Sequence, residues 1–183
     1  MQGQRPARAR PPPPSPASPR AGLAYHGRMA AKPIPDGYHT VTPYLVVKGG
    51  AQAIDFYARA FGAEELFRLP GPGGVLGHAE VRIGDSVVML ADEHPDMGYR
   101  GPQSLGGTPV SLLLYVTDVD ARFQKAVAAG AKELRPVKDQ FYGDRSGTLV
   151  DPFGHVWTLA THKEDLTPEQ IQARYEDWQK RQG

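Results

Sequence analysis

A segment of this chain occurs twice, with the second copy about 69 residues after the first. Residues 62–66 (Gly-Ala-Glu-Glu-Leu) match residues 130–134 (Gly-Ala-Lys-Glu-Leu) at an offset of 68. Residues 41–47 and 89–91 match residues 110–116 and 158–160 at an offset of 69. A repeat of this length predicts two copies of one supersecondary unit, because such a unit cannot bury its apolar face alone.

Each copy has the pattern of one strand, one helix and three further strands. The first helix is predicted over Ala51 to Phe61, where apolar residues recur at helical spacing and Gly62 follows as the usual helix terminator. The second is predicted over Val119 to Ala129, with Asp118 as N-cap and Gly130 after its end. The repeat therefore predicts two βαβββ modules.

A turn follows in the second half of each module and predicts the strand register there. Gly84-Asp85 predicts a two-residue hairpin, in which Ile83 pairs with Ser86 and Glu80 lies opposite Met89. The stretch 151–154 (Asp-Pro-Phe-Gly) predicts a four-residue turn. One such module leaves a sheet face uncovered, so two are expected to pack together into one α+β domain over residues 38–165, with modules at 41–91 and 110–160.

The two ends of the chain differ from this body. Residues 1–35 hold nine of the 18 prolines and six basic residues without an acidic one, which predicts a disordered tail over residues 1–37. At the other end, residues 167–170 (Thr-Pro-Glu-Gln) form a capping box with proline at the first helical position. A C-terminal helix is expected within residues 166–183, packed either on its own domain or on a second subunit.

Composition excludes several classes of protein. The absence of cysteine excludes a disulfide scaffold, a thiolate metal site and a cysteine nucleophile. No apolar run is long enough for a transmembrane helix, so no membrane partner is expected, and no secretory apolar region is present. Beyond residue 35 the chain holds 15 basic and 20 acidic residues, hence net −5, which argues against nucleic acid as a partner. A cytoplasmic protein is expected.

Several strings resemble one family. They are Thr42 to Val47, Ile54-Asp55-Phe56-Tyr57, Gly77 to Glu80, Ser104 to Val110, and Phe141 to Gly147 with Asp151 to His155. In these strings the chain is similar to the vicinal-oxygen-chelate superfamily (glyoxalase, bleomycin-resistance proteins and extradiol dioxygenases), most closely to its PhnB-like branch. The resemblance implies a curved mixed sheet around a cleft, and it implies a homodimer, since members are commonly dimers.

Metal-dependent members of that family use four His, Glu or Gln ligands from the first and last strands of the two modules. The resemblance places those positions at Thr42, Met89, Ser111 and Thr158. None of these side chains is a competent ligand for Zn, Ni, Mn or Fe, which bind imidazole, carboxylate or thiolate groups in proteins. The family metal centre is therefore predicted to be absent, and no cofactor is expected.

Strand alternation predicts which other side chains face the cleft. Alternate residues of a strand lie on the same face, and the hairpin turns determine which residues lie opposite each other on neighbouring strands. Counting from the four positions above in this way predicts that five more side chains face the cleft: Tyr44, Tyr115, His78, Glu80 and Arg145. His78 and Glu80 could form a structural pair, bind a ligand or act as relocated metal ligands. Arg145 could instead form an ion pair at the surface or at a subunit interface. Tyr44 and Tyr115 could be part of the core.

These residues predict a metal-independent binding protein for a small, partly apolar molecule, with Thr42, Met89, Ser111 and Thr158 as additional ligand contacts. The alternative is an enzyme. It would be either a metal-dependent lyase, isomerase or dioxygenase with relocated ligands such as His78 and Glu80, or a metal-free catalyst with one of those two as the base.

Overall fold

The computed structural model describes residues 31–181, and it contains the two predicted modules. In the first module β1 (Tyr44–Val47) and α1 (Gly50–Phe61) precede β2 (Glu64–Pro70), β3 (Leu76–Ile83) and β4 (Ser86–Asp92). A connection with a short helix, α2 (Pro102–Leu105), leads to the second module. There β5 (Ser111–Tyr115) and α3 (Val119–Ala129) precede β6 (Lys132–Asp139), β7 (Asp144–Val150) and β8 (Val156–His162), and α4 (Pro168–Lys180) follows.

The helix predictions are confirmed. Observed α1 begins one residue before the predicted start, and α3 has the predicted bounds. Gly62 and Gly130 end these helices with φ of 73° and 118°, a left-handed conformation that glycine adopts without steric cost. Thr167 and Gln170 form both hydrogen bonds of the predicted capping box of α4. The predicted disordered tail, apart from residues 31–37, lies outside the described residues.

The strands of each module form a four-stranded mixed sheet with the same topology. The orders are β1-β4-β3-β2 and β5-β8-β7-β6. Tyr44 pairs with Met89 in the first sheet, and Leu113 pairs with Thr158 in the second. The members of these pairs are related by the same 69-residue offset as the repeat, so the repeat preserves strand register as well as sequence.

One hydrophobic core lies on the helix side of both sheets. Rings from α1 reach into the second module: Phe61 lies 4.7 Å from Trp157 and Tyr57 lies 5.6 Å from it, between ring centroids. Phe123 of α3 belongs to the same buried cluster. Because the helices cover one side of both sheets, the opposite side is left for a binding surface. No helix among residues 31–181 is long and apolar enough to cross a membrane.

One register prediction is wrong. The second hairpin pairs Val150 with Val156, so five residues, 151–155, form the turn, and not the four that were predicted. The Asp151 carboxylate accepts the backbone N–H groups of Phe153 and His155 at 2.9 Å each, which holds the extra residue in the turn. A shift of one residue moves every side chain of a strand to the other face.

Arg145 is therefore not a cleft residue. It pairs with Thr161, and Ser146 takes the predicted position opposite Ala160. The guanidinium donates to Asp120 of α3 at 2.7 Å and to Asp139 at 3.3 Å. Arg145 thus forms an ion pair on the helix side of the sheet, in agreement with the alternative of a surface ion pair.

Candidate functional site

The sheet faces turned away from α1 and α3 carry the candidate site, and we call them the open face. Along β1, Leu45 and Val47 are buried under the helices, whereas Tyr44 is 45 % exposed. Along β5, Leu113 and Tyr115 are 53 % and 60 % exposed. Apolar and aromatic side chains that face solvent on a central surface are typical of a site that a ligand or partner covers.

In the first module a hydrogen-bonded chain crosses the open face. The Tyr44 hydroxyl lies 2.9 Å from His78 Nδ1, and His78 Nε2 lies 3.3 Å from Glu80 Oε1. The other carboxylate oxygen, Oε2, accepts a hydrogen bond from the Tyr38 hydroxyl. Phe67 packs beside the imidazole at a centroid distance of 5.7 Å. The predicted pairing of Glu80 with Met89 is confirmed.

The direction of these hydrogen bonds follows from the acceptors. Glu80 is 5 % exposed, and its carboxylate accepts from Tyr38 and from His78, which in a neutral imidazole places the proton on Nε2. Nδ1 then accepts from Tyr44. The contact with Glu80, together with burial, raises the pKa of Tyr38, and burial raises the pKa of Tyr44. Both phenols therefore stay protonated donors at neutral pH.

The second module has no ionisable pair at the corresponding place. Thr148 pairs with Thr158, and their hydroxyl oxygens are 3.1 Å apart. These two residues and Ser111 line a cavity of about 400 Å³ together with Leu134 and Arg135. The structure thus brings Ser111 and Thr158, two of the positions that the resemblance implies, to one cavity lined by hydroxyl groups.

Tyr115 takes part in a second network that sequence reasoning did not identify. Its hydroxyl donates to Asp144 Oδ2 at 2.9 Å, and the other oxygen of this buried carboxylate lies 2.7 Å from His162 Nδ1. The hydrogen bond to Asp144 raises the pKa of Tyr115. Asp144, and then Asp165, raise the pKa of His162. The phenol of Tyr115 is held in one position by this network.

Thr42 lies just before β1, where its hydroxyl donates to the backbone oxygen of His39. Near the start of β1 the two modules meet at a cavity of about 290 Å³, lined by Tyr44 and Val46 of β1 and by Leu112, His155 and Val156 of the second module, among others. His155 Nε2 lies 3.0 Å from the Val46 oxygen and joins the modules there. Tyr44 therefore borders both its own network and the junction.

The donor groups present do not fit the metal centre that the resemblance implies. Thr42, Met89, Ser111 and Thr158 offer three alcohols and a thioether, none of which holds a divalent transition metal well. Across residues 31–181, no group of three or more His, Asp or Glu side chains is arranged to hold an ion. Both ring nitrogens of His78 already have hydrogen-bond partners, so metal binding there would break this network.

Several residues of the site, Thr148 among them, were not identified from the sequence. Asp144 and Ser146 replaced Arg145 through the register shift. Phe67 lies opposite Glu80, but an irregularity between Glu65 and Phe67 breaks the alternation of β2 from which it could have been found. Tyr38 precedes the first strand, and no local pattern indicates that it reaches Glu80.

The comparisons with known proteins agree with this architecture. Residues 38–159 match the family model described as Glyoxalase/Bleomycin resistance protein/Dioxygenase superfamily. An uncharacterized protein of Mycobacterium tuberculosis, Rv0887c, is 51 % identical over 136 residues, which are 73 % of this chain and 80 % of that protein. Protein YjdN of Escherichia coli is 26 % identical, with 69 % of this chain and 98 % of that protein covered.

Among solved structures, TioX from Micromonospora sp. ML1 matches with a TM-score of 0.54 and 28 % identity, covering 70 % of this chain and all of that one. The PhnB protein from Bacillus cereus matches with a TM-score of 0.54 and 19 % identity, covering 67 % of this chain and 99 % of that one. At 19 % identity, the second likeness concerns the fold alone.

Proposed function

Because this chain belongs to the glyoxalase/bleomycin resistance/dioxygenase superfamily, we propose that it binds a small, partly apolar molecule on its open face without a metal ion. The observation that carries the proposal is the set of side chains at the four family ligand positions, three alcohols and a thioether. The strings that resemble PhnB-like proteins support a place in that branch. We propose a cytoplasmic location for the protein.

The proposed binding mode uses aromatic walls and a few polar anchors. Tyr44 and Tyr115 hold their phenol groups in position by hydrogen bonds to His78 and Asp144. Each phenol oxygen donates its proton to these partners, so it offers its lone pairs to a donor group of the ligand. Met89 lies beside Tyr44 in the first sheet, and Ser111 and Thr158 line the 400 Å³ cavity of the second module. Pockets with mostly apolar walls and few polar groups are typical of small-molecule sites.

A homodimer is proposed as the assembly. The large apolar side chains Leu105 and Val110 are more than half exposed on the connection that leads to β5, and a second subunit would remove this surface from water. Light scattering coupled to gel filtration tests the proposal. A mass of about 40 kDa, twice the 19.9 kDa chain, is expected, and a monomer across the micromolar range would contradict it.

Metal analysis and ligand-induced stabilisation test the proposed function. Protein purified without chelators is expected to contain no stoichiometric Zn, Ni, Mn or Fe, and its melting temperature should not respond to EDTA. Molecules that raise the melting temperature should lose this effect in Tyr44→Ala and Tyr115→Ala, and keep it in Met97→Ala, a control with an exposed side chain away from the cavities. Stoichiometric metal, or shifts that the tyrosine variants leave unchanged, would refute the proposal.

A second candidate function is metal-free acid–base catalysis. Glu80 is almost fully buried and yet lies on the open face, where it has a histidine and a phenol as partners. A carboxylate in such a place suits a general base that removes a proton from a bound molecule. Replacement Glu80→Gln would then abolish turnover and keep ligand binding, whereas a binding protein shows no turnover in either form. If His78 and Glu80 were relocated metal ligands, the purified protein would contain stoichiometric metal, and Glu80→Gln would lose it.

A further inference from the structure

The C-terminal helix α4 packs on the second module next to the open face. Phe141, in the turn between β6 and β7, lies 5.3 Å from Tyr175 and 5.8 Å from Trp178 between ring centroids. The rings of Tyr175 and Trp178 stack at 5.9 Å with an angle of 16° between their planes. Arg174 of α4 donates to Glu164 at 2.8 Å. These contacts hold α4 against its own domain.

A cavity of about 540 Å³ lies between this helix and the second sheet. Trp178 forms part of its wall from α4, and Tyr142 forms part from the turn before β7. Thr148 and Thr158 belong to its lining and also to that of the 400 Å³ cavity with Ser111. The two cavities therefore share a border on the open face, and α4 extends the proposed ligand surface beyond the sheet.

The charged side chains that line this cavity are all basic. Arg135 pairs with Thr148 and Lys138 pairs with Ser146, so both cations stand on the open face of β6. Both side chains line the cavity, and no carboxylate of the described residues does. Neither cation has an ion pair or a side-chain hydrogen bond within residues 31–181, in contrast to Arg145 on the opposite face. Two unpaired cations beside a cavity attract an anionic group.

We propose that the cavity between α4 and the second sheet binds a planar aromatic molecule that carries a carboxylate, sulfonate or phosphate group. The ring packs against Trp178 and Tyr142, and the anionic group meets Arg135 and Lys138. Because Trp178 is held by Phe141 and Tyr175, its ring is positioned before the ligand arrives, which reduces the entropy lost on binding. This inference rests on the proposed function and specifies the chemical class of its ligand.

Calorimetric titration of the full chain with three probes tests the inference. 2-Naphthoate is planar and anionic, 2-naphthamide is its neutral analogue, and cyclohexanecarboxylate is anionic without an aromatic ring. We expect 2-naphthoate to bind at least about tenfold more tightly than either of the others. Its affinity should fall as salt is raised, whereas that of the amide should not.

Two independent variants locate the site. Arg135→Gln should weaken 2-naphthoate at least about fivefold and leave the amide unchanged, with Lys125→Gln on the exposed face of α3 as the matched control. Trp178→Ala should weaken both aromatic probes by a similar factor, and Trp178→Phe should restore most of the loss. Arg135 lies on β6, so the affinity measured with Arg135→Gln does not depend on the packing of α4. It therefore still tests the inference if Trp178→Ala loosens the helix.

The results separate this inference from the proposed function. Binding of 2-naphthoate that is lost in Tyr44→Ala but unchanged in the Arg135 and Trp178 variants would overturn the inference and leave the proposed function intact. Equal affinity for all three probes, or no binding of 2-naphthoate, would overturn the ligand class. Stoichiometric metal would refute the proposed function, whatever the result at Trp178.

Discussion

The buried carboxylate of Asp151 offers the sharpest test of how the two modules are joined. Its Oδ2 accepts from the Tyr57 hydroxyl at 2.8 Å and from the indole N–H of Trp157 at 2.9 Å. Its Oδ1 accepts the backbone N–H groups of Phe153 and His155. One side chain thereby connects α1 of the first module, the start of β8 and the turn between β7 and β8. We expect Asp151→Asn to destabilise the protein strongly.

The magnitude follows from the hydrogen-bond inventory. An asparagine keeps one oxygen for the backbone groups but places an NH₂ group where Oδ2 stood. The Tyr57 hydroxyl can rotate and accept from it, whereas the indole N–H of Trp157 is a donor only and loses its partner. A buried donor left without a partner, together with the loss of a hydrogen bond to a charge, costs about 3 kcal/mol. For a domain of this size that corresponds to a fall in melting temperature of about 6–12 °C.

Urea unfolding followed by tryptophan fluorescence measures this effect. Tyr57→Phe is the matched control, since it removes one bond to the charged Asp151 carboxylate and leaves the bond from Trp157, for a loss of about 1.5–2 kcal/mol. If Asp151→Asn costs no more than Tyr57→Phe at equal denaturant slope, the reasoning about the unpaired indole is refuted.

Three further outcomes are expected. Gly147→Ala should cost about 1–3 kcal/mol in thermal unfolding, because the added carbon would lie 2.8 Å from Phe123, and an unchanged melting temperature would contradict the packing described. The pKa of His162 is raised from 6.5 by Asp144, so the stabilisation from this pair is complete below pH 6.5 and is lost as the pH rises through the raised value. His162→Gln should therefore destabilise more at about pH 5.5 than at about pH 9, and equal losses at both would disprove the coupling. Thr167→Ala removes the N-cap of α4 and should cost about 1 kcal/mol in denaturant unfolding, with less helical circular dichroism, and no change in either would argue against the cap.

The local features of the fold could be predicted because their signals lie within a few residues of one another. Helix α3 begins after Asp118 and ends before Gly130, as the cap and the glycine indicate. The two-residue turn at Gly84-Asp85 places Glu80 opposite Met89, since a turn of known length determines the pairing on both sides. The 69-residue repeat predicts that the second module has the topology of the first, because the same pattern of apolar residues buries the same faces of its helix and strands.

The candidate site was predictable only in part. Tyr44, His78 and Glu80 were placed on one surface by alternation, and the structure joins them in one hydrogen-bonded chain. That Tyr38 reaches Glu80 from outside the sheet is a long-range contact without a local signal. Their roles as ligand contacts remain predictions.

The sequence by itself determined the repeated module, the helix ends and the absence of ligating side chains at the family metal positions, because each depends on residue type and short spacing. Only the tertiary structure decided the length of the turn between β7 and β8. That length determines which side chains of β7 lie on the open face. Asp151 binds two backbone N–H groups of its own turn while its other oxygen is held by Tyr57 and Trp157 inside the shared core. That long-range constraint turns Asp144 and Ser146 toward the open face and Arg145 away from it.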